Sequence, residues 1–333
     1  MLDSVMRNEF LQANSYARRG KLNDVDRCIT KKIIHLNSKF RNNYYKTSGS
    51  DFLYNFPMSI KNILSLRIQS IDIPNSWYNF SKKMKNTQFI IKTHDRINIS
   101  GETKYRENLS WTKTTKIEGK TFVIKIPEGN WSSFELATYL NNTYFYQQSD
   151  KKRNDLSFLK LTISDIVFIT RFDILYNAPK DFKFDIYFAN EDLTVPLTYS
   201  AGWTLGFRFA EYKNITGSLV SEGLYDYGGH RFIYISINDF NVNKNDSDMV
   251  FLVDSCYDKD ILGKVYITDG KFHVTISDSD GKANLKKRFF NGPVNISKLH
   301  IKLYDEYGNT IDLNNMDYSI ALEFEIQSQK WDY

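Results

Sequence analysis

The 333-residue sequence has only 2 cysteines and 6 prolines, and it contains no run of 18 apolar residues. Two isolated cysteines, Cys28 and Cys256, cannot form a disulfide framework, which excludes the class of small disulfide-stapled secreted domains. Without a long apolar run the chain has no candidate transmembrane helix. The first 30 residues lack an apolar core, so we expect no signal peptide. These absences leave an ordinary globular protein.

The sequence also lacks the short motifs of common enzymes. There is no glycine-rich phosphate loop, no dinucleotide fingerprint and no nucleophile elbow. The five histidines are dispersed, and none has a histidine or cysteine at metal-ligand spacing. Paired carboxylates are too frequent to identify a catalytic pair. We therefore expect no catalytic, cofactor-binding or metal-binding residues, no cofactor and no enzymatic activity.

Positive charge is concentrated at the N-terminus. Residues 1–50 contain ten Lys or Arg and four Asp or Glu, while the whole chain has a net charge of +5. We interpret residues 1–35 as a basic arm, in which Leu2, Met6, Phe10 and Ala13 have helical spacing. Such an arm is suited to an acidic protein surface or a phosphate backbone, and a solvated tail is the alternative. The predicted partner-binding residues of the arm are Arg18, Arg19, Lys21, Arg27, Lys31 and Lys32.

From Phe52 onward, apolar residues recur with a period of two, which is typical of half-buried strands. In the run Leu64–Ile73 the apolar parity switches, which predicts a β-bulge. Asp269-Gly270 predicts a tight hairpin in which Val265 and Ile267 face Phe272, Val274 and Ile276. The segment Ser132–Glu135 has the form of a capping box and predicts one short helix with Phe134, Leu136, Ala137 and Leu140 on its apolar positions.

This pattern predicts an all-β fold, an antiparallel jelly-roll-like sandwich with insertion strands and one short helix. The body spans residues 36–333, and residues 80–215 are a candidate inserted subdomain. The first strand, Phe52–Phe56, and the last, Tyr318–Ile326, are expected to share a sheet. No strand–helix alternation indicates a doubly wound nucleotide fold.

The 22 tyrosines and 24 phenylalanines indicate where the chain could bind partners. Aromatic residues at parity-buried positions are expected in the core, whereas those in loops are candidates for subunit contacts because tyrosine and tryptophan are enriched at interfaces. The predicted interface aromatics are Tyr44, Tyr45, Trp77, Tyr225 and Tyr227.

Several stretches follow one another in order along residues 37–327, including Asp51–Pro57, Ile60–Tyr78, Ile126–Ser133, Gly202–Phe207 and Gly292–Tyr318. Together they resemble a family of capsid-associated proteins of nucleocytoplasmic large DNA viruses. The resemblance implies a virion structural protein, either a penton at five-fold vertices or a minor capsid protein, and it carries over no catalytic residue. Expected partners are the major capsid protein, neighbouring minor proteins and further copies of this chain, as a pentamer if it is a penton. The expected location is the virion, and the host cytoplasm during assembly.

Two other functions stay open at this point. The loops around Trp77, Trp111, Trp131 and Trp203 could supply stacking faces for a carbohydrate- or receptor-binding module. The basic arm could instead bind nucleic acid through phosphate contacts.

Overall fold

The computed structural model describes residues 28–103, 110–150, 153–188, 196–242, 244–245, 250–251, 257–258, 260–278 and 284–328. Its strands, in chain order, are β1 Cys28–Asn37, β2 Asp51–Pro74, β3 Gln88–Thr93, β4 Arg96–Thr103, β5 Ser110–Ile117, β6 Thr121–Lys125, β7 Leu159–Ile163, β8 Thr170–Ile174, β9 Phe184–Tyr187, β10 Glu211–Ile215, β11 Leu219–Val220, β12 Phe232–Asn238, β13 Lys244–Asn245, β14 Val250–Phe251, β15 Tyr257–Asp258, β16 Ile261–Tyr266, β17 Val274–Asp278, β18 Asn284–Leu285, β19 Lys287–Tyr304 and β20 Ser319–Ser328. Within these ranges two α-helices accompany the strands, α1 Ser133–Thr143 and α2 Ala201–Thr204.

The chain divides into two compact units. Unit 1 contains the described residues up to Trp77 and those from His230 onward, and unit 2 contains Tyr78–Gly229. The range 80–215, expected to form an inserted subdomain, lies inside unit 2. The structure describes the expected arm only from Cys28, and residues 28–35 belong to strand β1.

Unit 1 is built on one large antiparallel sheet with the strand order β1-β20-β2-β19-β12-β16-β18, to which β13 and β17 add at β19 and β2. The sheet folds back on itself. A Cβ atom at Gly263 of β16 would lie 3.3 Å from Cδ1 of Ile68 of β2, although β19 and β12 separate these strands in the sheet order. The apolar side chains of both layers form one core between them, as in β-sandwiches. The predicted all-β antiparallel fold class is confirmed.

Strand β2 has the predicted bulge. Its register against β20 shifts between Ile68 and Ser70. Leu66 and Ile68 before the shift, and Ile71 and Ile73 after it, are all fully buried. One extra residue in a strand reverses the parity of the side chains that follow. The parity switch read from the sequence therefore keeps both halves of β2 facing the core. Segment Phe52–Phe56 lies in β2, so the first and last strands do share a sheet.

The predicted hairpin at Asp269-Gly270 is wrong. Strand β16 pairs with β12 and β18, whereas β17 pairs with β2. Pairing with β2 places Thr275 opposite Ile73 and buries it, while Val274 and Ile276 are exposed. The connection through residues 269–270 therefore joins two strands that pair with different neighbours.

Unit 2 contains a four-stranded sheet, β10-β9-β3-β6, a three-stranded sheet, β11-β8-β7, and the two-stranded pair β4-β5. Its core is rich in phenylalanine, and the rings of Phe188 and Phe207 stack with centroids 4.9 Å apart. Helix α1 begins with the predicted capping box of Ser132 and Glu135. It buries Leu136 and Leu140 as expected, but Phe134 is exposed. The short helix α2 was not predicted.

Candidate interaction surfaces

The loop that follows strand β1 is held by one arginine. Arg41 donates hydrogen bonds from Nη1 to the carbonyl of Ser38 (2.8 Å) and to Oδ1 of Asp317 (3.0 Å), and from Nη2 to the carbonyl of Thr47 (3.2 Å). Its guanidinium carbon lies 3.9 Å from the centre of the Tyr44 ring. The Arg41 side chain is only 7% exposed. A planar group with several fixed partners holds the loop in one conformation.

This loop, residues 38–47, presents three aromatic side chains to solvent. Tyr45 is 99% exposed, Phe40 is 74% exposed, and Tyr44 is also exposed. The rings of Tyr44 and Tyr45 meet edge to face at 5.5 Å. The predicted interface residues Tyr44 and Tyr45 are thus placed on one surface, which we call the aromatic loop. Phe40 was missed because nothing in its local sequence separates an exposed aromatic from a buried one.

Strand β1 lies at the edge of the sheet in the described part of unit 1, where it pairs with β20 alone. Its Lys31 places Nζ 3.4 Å from Oε1 of Glu323, and Nη2 of Arg67 donates to Oε2 of the same carboxylate at 2.8 Å. The Arg67 hydrogen bond holds the pKa of Glu323 below its ordinary value. Lys32 is exposed. Lysines on an edge strand also discourage unwanted strand pairing. The other predicted arm residues, Arg18, Arg19, Lys21 and Arg27, lie outside the described residues.

Two of the predicted interface aromatics are buried within their own units. Trp77 is 2% exposed and belongs to the core of unit 1, where its ring lies 6.1 Å from that of His230. Tyr225 belongs to the core of unit 2. Its hydroxyl donates to the carbonyl of Trp131 at 2.7 Å, and its backbone N–H donates to the carbonyl of Phe168 at 2.5 Å. Burial raises the pKa of the Tyr225 hydroxyl. Tyr225 therefore ties three segments of unit 2 together.

Those three segments carry a second exposed surface. The hydroxyl of Ser133 donates to Oδ1 of Asp165, which brings the start of helix α1 beside the loop at residues 164–169. The Phe168 ring stacks on Tyr227 with centroids 5.7 Å apart, which adds the segment 222–229. We call the exposed apolar side chains of these segments the unit 2 patch: Phe134 (70% exposed), Ile166 (89%), Val167, Leu224 and Tyr227.

Sequence reasoning found only one member of this patch, Tyr227. Its spacing in the sequence assigns Phe134 to the apolar face of helix α1. The adjacent apolar residues Ile166 and Val167 are typical of the end of a buried strand. An available signal was the position of Asp165 beside Ile166, since polar residues next to short apolar pairs mark loops. Phe168 also adopts a left-handed backbone conformation, φ 52°, which a bulky residue rarely adopts.

Three of the four tryptophans considered for sugar stacking, Trp77, Trp131 and Trp203, are engaged within the chain. Trp131 packs on Tyr139 with ring centroids 5.1 Å apart, and the guanidinium of Arg208 lies 4.2 Å from the centre of the Trp203 ring. Trp77 is buried, and the side chain of Trp111 lies outside the described set.

The described residues include no group of three His, Cys, Asp or Glu that could hold a metal ion. Nε2 of His300 lies 2.7 Å from Oδ1 of Asp51. Within the described ranges, no helix has the length and apolar character needed to span a membrane.

No protein-family model matches the sequence, and no curated protein matches it either. Among solved structures, the chain is similar to a crystal structure of selenomethionine-labelled mavirus penton protein, with a TM-score of 0.45 and 10% sequence identity. The match covers 90% of this chain and 99% of that chain.

Proposed function

We propose that the chain is a structural component of a large icosahedral DNA virus capsid, a penton or a minor capsid protein, that works by binding neighbouring subunits. The family-like stretches of its sequence support this function, and so does its antiparallel β architecture. The observation that carries the proposal is the aromatic loop. Its exposed rings are presented by a loop fixed by Arg41, on the outside of a rigid sheet.

Such a loop is suited to assembly because exposed rings on an ordered backbone lose little conformational freedom on binding. Burying a large apolar side chain such as Phe40 contributes roughly 1.5–3 kcal/mol. Aromatic anchors of this kind dominate the binding energy of many interfaces. Repeated around a closed ring of subunits, one contact per chain would be enough to define an assembly.

The test is the mass of the purified full-length protein by multi-angle light scattering, together with its binding to the major capsid protein of the same virus. A penton is expected at five times the 39.1 kDa mass of the chain, and a minor protein is expected as a monomer that binds the major capsid protein. The double variant Phe40→Ser/Tyr45→Ser should weaken whichever association is found. The matched control is Tyr176→Ser, which removes a fully exposed tyrosine of unit 2 and should change nothing.

A monomer that binds no shell protein would overturn the proposal. An association that the Phe40→Ser/Tyr45→Ser variant leaves as strong as in the Tyr176→Ser control would show that the aromatic loop is not the contact, and would remove the observation on which the proposal depends.

A further inference from the structure

The segments that form the unit 2 patch combine exposed apolar side chains with exposed carboxylates. These segments, residues 132–142, 164–169 and 222–229, contain four acidic residues and no Lys or Arg, and one cation from elsewhere in unit 2, Arg208, lies beside Gly223. The four acidic residues are exposed: Glu135, Asp165, Glu222 and Asp226. Hydrogen bonds from Ser132 hold the pKa of Glu135 below its ordinary value, so this carboxylate stays charged near neutral pH. A partner for this surface should therefore combine apolar side chains with positive charge.

One segment of the chain itself has this composition. Residues 10–23 contain Phe10, Leu11 and Tyr16, followed by three basic residues, Arg18, Arg19 and Lys21, and no acidic residue. The apolar residues and the positive charges thus lie close together in one segment. A stretch of this kind fits the patch in both hydrophobicity and charge sign.

We propose that residues 10–21 of a second copy of this chain bind the unit 2 patch. Phe10 and Leu11 cover Phe134 and Ile166, and the basic residues face the surrounding carboxylates. The inference rests on the penton form of the proposed function, because it requires copies of the chain to associate. Each copy offers one such segment and one patch, so the contact is head-to-tail and can close into a ring of identical subunits.

The experiment places the photo-cross-linker benzoylphenylalanine at position 10 of the full-length protein. Equal amounts of ¹⁴N-labelled and ¹⁵N-labelled protein are mixed, irradiated and mapped by mass spectrometry. We expect cross-links from position 10 to residues 133–135 or 164–168, with one peptide of each isotope. Their yield should fall as the salt concentration is raised, since the Debye length shortens from about 10 Å at 0.1 M to about 3 Å at 1 M.

Variants test whether the patch is responsible. Phe134→Ser/Ile166→Ser should lower the mixed-isotope yield by about tenfold or more, because it removes two central apolar anchors. Tyr176→Ser, which alters an equally exposed side chain elsewhere in unit 2, should leave the yield unchanged. Circular dichroism on each variant checks that the fold is retained.

Cross-links confined to one isotope would overturn the inference, since they would show that the segment binds its own chain. Cross-links that map to another protein surface, or that persist in the patch variant, would overturn it as well. Light scattering on the same samples separates the two proposals. An assembly that persists without these cross-links overturns the inference and leaves the capsid proposal standing. A monomer also overturns the inference, and it counts against the capsid proposal only if the monomer fails to bind the major capsid protein.

Discussion

Arg288 lies at the centre of a buried group of charges in unit 1. Its Nη1 donates to Oδ2 of Asp239 and to the carbonyl of Ile237, both at 2.6 Å, and its Nη2 donates to the carbonyl of Asp260 at 3.1 Å. The side chains of Arg288 and Asp239 are 3% and 0% exposed. Lys244 forms a further ion pair with Asp260. The cluster joins strands β12 and β19 to the segments that follow β12 and precede β16.

Replacing Arg288 with Met keeps most of the side-chain volume but leaves the Asp239 carboxylate buried without its cation. Breaking a buried pair by removing one partner costs about 3–5 kcal/mol of unfolding free energy. The neighbouring residue supplies the control. Lys287 also forms an ion pair, with Glu325 at 2.6 Å, but its side chain is 29% exposed. Lys287→Met should therefore cost only about 0–1 kcal/mol.

The assay is amide hydrogen exchange of the β12 and β19 peptides, measured by mass spectrometry where exchange follows the opening equilibrium. Because about 1.4 kcal/mol corresponds to a factor of ten, Arg288→Met should speed exchange by roughly 100-fold to several thousand-fold. The double variant Asp239→Asn/Arg288→Met should exchange more slowly than Arg288→Met alone, since it removes the stranded charge. Acceleration by less than about tenfold, or no greater than in Lys287→Met, would refute the reasoning.

Two further predictions concern the pH dependence of the stability of unit 1 and the packing of the core within unit 2. The pKa of Glu323 is lowered in the folded state, mainly by the hydrogen bond from Arg67. This carboxylate therefore stabilises the folded state fully at a pH above its ordinary pKa of 4.5. The stabilisation is lost as the pH falls through the lower pKa of the folded state. Urea unfolding of Glu323→Gln should therefore depend less on pH below 4.5 than that of the unaltered protein, and equal slopes would contradict the assignment. A Cβ atom at Gly202 would lie 2.3 Å from Cγ of Phe188. Gly202→Ala should therefore destabilise unit 2 by about 1–3 kcal/mol, measured as faster amide hydrogen exchange of β9. An unchanged exchange rate would show that the Phe188 ring moves aside at no cost.

Local rules were sufficient where a feature depends on neighbouring residues. The capping box at Ser132 and Glu135 closes within one helical turn, so the sequence contains everything needed to predict it. The bulge near Ile68 was also readable, because both halves of β2 must bury their apolar side chains. The exposed positions of Tyr44 and Tyr45 followed from their place in a loop.

Local rules failed where burial depends on distant parts of the chain. Val274, Ile276 and Phe134 have apolar side chains at regular spacing, yet all three are exposed. Trp77 and Tyr225, expected at interfaces, are in cores. An apolar pattern states which residues share a face, but not whether another layer covers that face.

The sequence by itself determined the strand periodicity, the capped helix, the basic N-terminal region and the supply of aromatic residues, because each is a property of adjacent residues. Only the tertiary structure decided that β17 joins β2, that Arg41 fixes the aromatic loop through Asp317, and that Ser133, Asp165 and Tyr225 bring three segments into one exposed patch. These contacts join residues far apart in the chain, and their formation depends on which buried positions the rest of the fold leaves open.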